Sequence, residues 1–157
     1  MHYKEKGFSL IELLIVVAII LIIAAIAIPN LLRSKMASNE AATVSALRTI
    51  NTSSVAYSTT YGQYPGALAS LGPMPSGQNP SSTTADLIDQ VLAAGTKSGY
   101  NITYVGAQNS GVYGSYTITA APVTQGVSGQ RGFFTDQSGV IRADPAGSAT
   151  ASSTPLS

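Results

Sequence analysis

One carboxylate stands alone in an apolar environment near the start of this chain. Glu12 lies in a run from Phe8 to Ile28 in which Ser9 is the only other polar residue. As a helix, a run of about 21 residues spans about 30 Å, the thickness of the hydrocarbon core of a bilayer. A carboxylate in such a segment costs about 2.5–3.5 kcal/mol on insertion scales, so Glu12 requires a partner or a function.

Three ordinary explanations of the apolar run fit less well. A secretory signal peptide has an uncharged apolar core of about 7–15 residues, shorter than this one. A simple membrane anchor fits the length but leaves Glu12, one turn from the start, unexplained. A buried helix of a soluble protein is disfavoured because the run is apolar on every side.

The rest of the chain has few groups that could do catalysis. Its 157 residues include no Cys and no Trp, one histidine (His2), and nearly balanced charge, with 8 Lys+Arg and 7 Asp+Glu. The carboxylates after the apolar run are Glu40, Asp86, Asp89, Asp136 and Asp144. We therefore predict no enzymatic activity, no catalytic residue, no cofactor and no metal. Calcium at Asp86 and Asp89 is a weaker alternative, because calcium prefers 6–8 oxygen ligands.

The stretch KGFSLIELLIVVAII, with Gly7 as its second residue, resembles the N-terminal segment of type IV pilins and the related pseudopilins. In that family a prepilin peptidase cuts after the glycine, and the new N-terminal residue is methylated. The resemblance therefore implies cleavage between Gly7 and Phe8 and N-methylation of Phe8. Pro29 matches a proline that many members carry, whereas Leu21 stands where many have a glycine.

The resemblance also implies a function for Glu12 in assembly. Cleavage would create a positive amine at Phe8, and four residues of helix rise about 6 Å, so the two charges can lie at similar membrane depth. Opposite charges attract strongly at low dielectric. In the family the amine belongs to the neighbouring subunit, but a pair within one chain is equally compatible with this spacing. We expect Glu12 to promote subunit docking.

The apolar pattern predicts one long helix from about residue 8 to about residue 60, bent near Pro29. The residues that recur on one face of its second half are Val44, Leu47, Ile50, Tyr57 and Tyr61. The predicted regions are a leader (1–7, which contains His2), a transmembrane and filament-core helix (8–32), a globular head (33–143) and a flexible tail (144–157).

The remaining elements are a short helix over 83–94 and strands near 100–105, 116–120 and 133–141, the last a hairpin. The fold class that follows is α+β. The resemblance implies a pilin fold, in which one long N-terminal helix, transmembrane in its first half, packs against a small antiparallel β-sheet of three to four strands.

The function implied is a structural subunit of a type IV pilus-like filament that serves adhesion, motility or DNA uptake. The partners implied are other pilin subunits, the prepilin peptidase and methyltransferase, assembly machinery in the inner membrane, and membrane lipid before assembly. The filament would lie at the cell surface. A pseudopilin of type II secretion is the alternative. Whether nucleic acid binds stays open, since Arg131 and Arg142 alone do not make a basic patch.

Overall fold

The structure, a computed structural model, describes residues 7–156. The chain divides into two compact units, Met1–Lys35 and Met36–Ser157. Of the predicted leader, only Gly7 is among the described residues. Helix α1 spans Leu10–Tyr61 and belongs to both units.

The face of α1 that the sequence predicts to be apolar is buried in the second unit. Leu47 and Ile50 are fully buried, Tyr57 is nearly so, and Val44 and Tyr61 pack against the same core. Their spacing follows the helical period, so one stripe of α1 covers the sheet. The helix ends where it was predicted to end.

Gly62 terminates α1 by adopting a left-handed conformation, with φ of +74°. Its backbone N–H donates to the Ser58 carbonyl at 2.9 Å. This bond gives a partner to one of the carbonyls at the C-terminal end of the helix, which have no partner in a regular helix. A short 3₁₀ helix, Leu68–Leu71, follows.

The helix predicted over 83–94 is mostly wrong, because α2 spans only Gln90–Ala93. Its N-cap is Asp89, whose carboxylate accepts from the Leu92 N–H at 2.9 Å. Upstream, the backbone N–H groups of Asp86 and Leu87 donate to carbonyls of the 3₁₀ segment and the residue after it. These long-range bonds compete with a helical ladder, so tertiary packing overrides the local capping signal.

A six-stranded antiparallel sheet follows, with strands in sequential order, instead of the three or four predicted. The strands are β1 Thr96–Lys97, β2 Tyr100–Asn109, β3 Val112–Pro122, β4 Gly132–Asp136, β5 Arg142–Asp144 and β6 Thr154–Pro155. The predicted strands correspond to β2, β3, β4 and β5. The additional strands, β1 and β6, have two residues each, too few for a period-2 pattern to be visible in sequence.

The segment 144–157, predicted to be a flexible tail, contributes to the sheet at its start and near its end. It begins in β5 and supplies β6, which pairs with β5. Ala149 is buried, and the Leu156 N–H donates to the Ile141 carbonyl at 2.8 Å. Leu156 thus packs against the core, and β6 extends the sheet by one strand.

A cluster of tyrosines fills the space between α1 and the sheet. Tyr104 stacks on Tyr116 with ring centroids 5.1 Å apart, and Tyr64 meets Tyr116 edge-on at 4.9 Å. The Tyr116 hydroxyl donates to Asn51. The Tyr104 hydroxyl, in contrast, is buried without a hydrogen-bond partner among the described residues. A buried hydroxyl without a partner is destabilising, and the Ser54 hydroxyl is a second buried one without a partner among the described residues.

We expect Tyr104→Phe to raise the free energy of unfolding by about 1 kcal/mol, because it removes a hydroxyl that is desolvated without compensation. The matched control is Tyr100→Phe, since the Tyr100 hydroxyl donates to the Arg131 carbonyl at 2.8 Å. That change is expected to lower stability by about 1 kcal/mol. Chemical denaturation measures both, and equal destabilisation by the two variants would contradict the expectation.

Candidate processing and assembly site

The residues at the predicted cleavage position precede the first helical residue. Gly7, Phe8 and Ser9 lack regular structure, and α1 begins at Leu10. The Ser9 carbonyl accepts from the Leu13 N–H at 3.2 Å, the first bond of the helix, which makes Ser9 the N-cap. The Gly7–Phe8 peptide bond therefore lies in non-helical chain.

Glu12 has a hydrogen-bond partner in its own chain. Its Oε2 accepts from the Ser9 backbone N–H at 2.8 Å. With Ser9 at the N-cap and Glu12 three residues later, this is the acidic half of a capping box, which satisfies an orphan donor at the helix start. The sequence signal, S-x-x-E before an apolar run, is visible in the chain, but reasoning about charge pairs alone missed it. The pairing of Glu12 with a Phe8 amine stays a prediction.

Among the described residues, nothing crowds the backbone of Gly7. A Cβ built at this position meets nothing within 4 Å, and its φ lies outside the left-handed region. Glycine is usually needed where the backbone is crowded or φ is positive. Neither condition is met at Gly7 among the described residues, and cleavage after Gly7 stays a prediction.

The apolar run has no covering layer in the structure. Every large apolar side chain from Phe8 to Ile28 is at least 45% exposed. Among the described residues, α1 is the one helix long and apolar enough to cross a membrane, with a mean hydropathy of 3.3 in its most apolar window. Such continuous exposure is far above what a soluble surface carries, so this part of α1 requires lipid or protein around it.

Pro29 lies inside α1, which is helical on both sides of it and throughout the stretch from Leu21. Proline removes one backbone donor from a helix interior, and its ring crowds the preceding turn. The bend expected near Pro29 stays a prediction. The absence of a glycine at Leu21 is consistent with the unbroken helix, because leucine is a much better helix former.

Sequence reasoning missed one charged site entirely, at Glu40 in the second unit. Glu40 is only 7% exposed. Its Oε1 accepts from the backbone N–H groups of Gln130 and Arg131 at 2.9 and 3.0 Å, and its Oε2 accepts from Arg131 Nε at 2.8 Å. The same loop approaches α1 at Asn39, whose Nδ2 donates to the Ser128 carbonyl at 2.8 Å. One carboxylate thereby fixes the loop between β3 and β4 to the helix.

The environment of Glu40 keeps it ionised. Burial alone would raise the pKa of its carboxyl, but the N–H donors of Arg131 and Gln130 and the guanidinium charge outweigh burial and lower the pKa below its ordinary value of 4.5. Nearby, burial and the negative charge of Glu40 raise the pKa of Tyr100 to about 12, so that hydroxyl stays a hydrogen-bond donor.

The lowered pKa of Glu40 predicts an acid-sensitive fold. A carboxyl that titrates near 4.5 when unfolded and lower when folded stabilises the protein fully above pH 4.5. That contribution is lost as pH falls from 4.5 through the folded-state pKa. We expect wild type to lose more stability over this range than Glu40→Gln, which has no carboxyl at this position. Denaturation midpoints at a series of pH values measure this, and parallel curves would refute it.

The other charged candidates are largely engaged within the fold. Arg131 is bound to Glu40, and Arg142 donates from Nη1 to the Ser153 carbonyl at 3.1 Å. Asp89 caps α2 and pairs with Lys97 at 3.2 Å. Over residues 7–156, no group of three or more His, Cys, Asp or Glu side chains is arranged to hold a metal ion.

Comparisons with known proteins concern the N-terminal segment. The family model described as the prokaryotic N-terminal methylation motif matches residues 2–28. The type IV wide pilus major component PilA4 of Thermus thermophilus is 60% identical over 37 residues, which cover 24% of this chain and 28% of that protein. The chain thus matches less than a third of the length of this curated relative. No solved structure matches the chain significantly.

These matches confirm the resemblance on which the sequence predictions depend. The N-terminal segment carries the prokaryotic N-terminal methylation motif and is similar to that of a type IV pilus component. One long N-terminal helix with an antiparallel sheet is consistent with the α+β pilin fold predicted. The relative is a pilus component, a structural role that agrees with the prediction that this chain is not an enzyme.

Proposed function

We propose that this protein is a structural subunit of a type IV pilus-like filament. The observation that carries the proposal is the apolar half of α1, which is exposed on all sides and lies largely within the matched methylation motif. Before assembly, this half would reside in the inner membrane, where lipid covers it. In the filament, the same half of other subunits would cover it. Both environments remove the large apolar surface from water.

The proposed maturation begins at Gly7. A prepilin peptidase would cut between Gly7 and Phe8, and Phe8 would become the methylated N-terminus. The structure supports access, because the bond precedes the helix and Phe8 is exposed. An extended, non-helical backbone is what a peptidase active site can bind. Removal of the leader also discards Lys4 and Lys6, so the apolar helix then begins directly with the new amine.

The proposed docking step uses the two charges left at the start of the mature chain. Glu12 currently accepts from Ser9, and a carboxylate can accept additional donors. An amine at Phe8 of a neighbouring subunit could therefore pair with Glu12 without breaking the capping bond. Such a pair is favoured in a low-dielectric core, where an unpaired charge would be costly. The relative's role as a pilus major component favours a surface pilus for this chain, with adhesion, motility or DNA uptake as its use.

The test is mass analysis of material sheared from the surface of cells that express the full chain. We expect an abundant peptide that starts at methylated Phe8. Gly7→Glu is expected to abolish that peptide and leave intact precursor in the membrane fraction. An unprocessed chain in wild-type cells, or processed chain confined to the periplasm, would contradict the proposal; the latter would instead support a secretion pseudopilus.

A further inference from the structure

A filament requires two different patches on each subunit. Identical subunits joined head-to-tail form an open helical polymer when one patch binds a second, non-identical patch on the next copy. The proposed function, on which this inference rests, places the apolar half of α1 in the filament core. The second unit, Met36–Ser157, should then carry its own complementary pair of patches.

One candidate patch is an open groove of about 430 Å³ beside α1. It is lined by Arg48, Asn51, Thr52 and Val55 of the helix and by the turn between β4 and β5. The groove carries a cation, and Val55 gives it an aliphatic wall that is 51% exposed. We call it the Arg48 groove.

The other candidate patch is the exposed dipeptide Asp86-Leu87 in the segment before α2. Asp86 has a φ of +55°, an uncommon conformation for a residue with a side chain. Its backbone N–H is fixed by the Gly72 carbonyl at 2.9 Å, and that of Leu87 by the Leu71 carbonyl at 2.9 Å. The structure therefore holds this backbone firmly while the Asp86 side chain makes no hydrogen bond among the described residues.

Neither charge is used within the subunit. Ion pairs among residues 7–156 join Arg131 to Glu40 and Lys97 to Asp89, and neither includes Arg48 or Asp86. The nearest acid in the chain to the groove turn, Asp136, directs its Oδ1 to the Ser138 N–H at 2.9 Å. Among residues 7–156, Arg48 thus has no ion-pair partner, and neither has Asp86.

The two patches lie on opposite flanks of α1. Asn51 lines the groove and bonds the Thr135 hydroxyl of β4 at 3.0 Å, whereas Ser53 donates to the Leu87 carbonyl at 3.2 Å. Residues two apart on a helix project about 160° from each other. Each patch therefore faces away from the other, so they cannot meet within one subunit. This arrangement suits contact between successive copies.

We propose that the Asp86-Leu87 patch of one subunit docks into the Arg48 groove of a second copy. Asp86 pairs with Arg48, and Leu87 packs against Val55. The charges are opposite, each patch adds one aliphatic side chain, and the contact is heterologous, so it propagates a filament. The ion pair supplies orientation and register, while the apolar core of the filament supplies most of the association free energy.

Charge reversal in the full chain tests this contact. Arg48→Glu and Asp86→Arg each place like charges together, and we expect each to reduce sheared filament by about tenfold or more. The double variant restores opposite charges and is expected to recover filament to near wild-type yield. Asn109→Glu and Asn109→Arg, at the exposed end of β2, are controls for a changed net charge. Resistance of the membrane-fraction subunit to limited proteolysis, equal to that of wild type, shows that the variants fold.

Chemical cross-linking gives a second, independent readout, because the chain has no cysteine. Filaments of Arg48→Cys/Asp86→Cys treated with a short bismaleimide should give a ladder of covalent oligomers, whereas either single variant should not. A linker is used because an Arg–Asp pair separates the Cβ atoms more than a disulfide allows.

The outcomes separate this inference from the function on which it rests. Normal filaments from both single reversals, or filaments of the double cysteine variant without a ladder, overturn the docking contact and leave the pilus proposal intact. A wild-type chain that forms no filament overturns the proposed function and the inference together. Recovery by the double reversal with a ladder supports both.

Discussion

Replacing Glu40 by alanine is expected to lower the free energy of unfolding by about 3 kcal/mol, the largest loss we expect from a single change in the second unit. The substitution leaves the backbone N–H groups of Gln130 and Arg131 without their acceptor. A buried donor left unsatisfied costs about 1–3 kcal/mol. The guanidinium of Arg131, 44% exposed, can turn to water and adds less.

A graded series distinguishes this explanation from a simple loss of charge. Glu40→Gln keeps one acceptor oxygen for the two backbone donors, so we expect it to cost about half as much as alanine. Lys97→Ala breaks the exposed Lys97–Asp89 pair and is expected to cost less than about 1 kcal/mol. Chemical denaturation of the full chain in detergent measures all three variants. Equal losses in the free energy of unfolding for Glu40→Ala and Lys97→Ala would show that the burial of Glu40 adds nothing to stability.

The pairing of Glu40 could not be predicted from the sequence. Its partner Arg131 is 91 residues away, and no local pattern marks either residue as paired. Reasoning from sequence listed Glu40 only among the few carboxylates after the apolar run, and it concluded that Arg131 and Arg142 alone do not make a basic patch. The pairing depends on how the β3–β4 loop folds back onto α1. Gly129 permits that close approach, because a Cβ there would collide with the Tyr100 ring.

Features with a strong local signal were predicted well. The apolar run and the recurring face at Leu47, Ile50 and Tyr57 define α1 because a long, periodic pattern has few alternative structures. The hairpin predicted near 133–141 corresponds to β4 and β5, and its turn is closed by the Gly139 N–H, which donates to the Asp136 carbonyl at 2.9 Å. In these elements, local chemistry and the final fold agree.

Short elements were predicted poorly because their backbone bonds go to distant partners. The segment around Asp86 satisfies its N–H groups with the carbonyls near Leu71 and Gly72 rather than with its own helix. The strand β6 has two residues and exists only because β5 offers an open edge. In both cases the partner, not the segment, determines the conformation, and a single sequence does not reveal the partner.

At the candidate assembly site, the sequence singled out Glu12, but its hydrogen bond to Ser9 was not predicted. Glu12 was predicted to need a partner because it lies in an apolar run. The structure supplies one, the Ser9 N–H, inside the same chain. A carboxylate satisfied by its own helix could be purely a capping residue, whereas a carboxylate that also binds an amine would drive docking. These two roles need different chemistry, acceptance of a hydrogen bond in the first and negative charge in the second.

Replacing Glu12 by valine is accordingly expected to reduce sheared filament by more than tenfold while the chain still enters the membrane. Removal of a charge from the apolar run makes insertion more favourable by about 2.5–3.5 kcal/mol, so poor insertion cannot account for a loss of filament. The loss would follow because the Phe8 amine of a neighbouring subunit no longer has a carboxylate to pair with. An unpaired charge is costly at low dielectric. Normal assembly of the Glu12→Val variant would disprove the docking role of Glu12.

Glutamine at position 12 separates the two roles of the carboxylate. Its amide oxygen can still accept from the Ser9 N–H, so the capping bond at the helix start survives, but the negative charge is gone. If charge pairing drives docking, Glu12→Gln assembles as poorly as Glu12→Val. If capping is the whole function, Glu12→Gln forms filaments at nearly the wild-type level. Sheared filament per unit of processed subunit, measured for both variants beside wild type, decides between these roles, because processing and membrane level are then normalised.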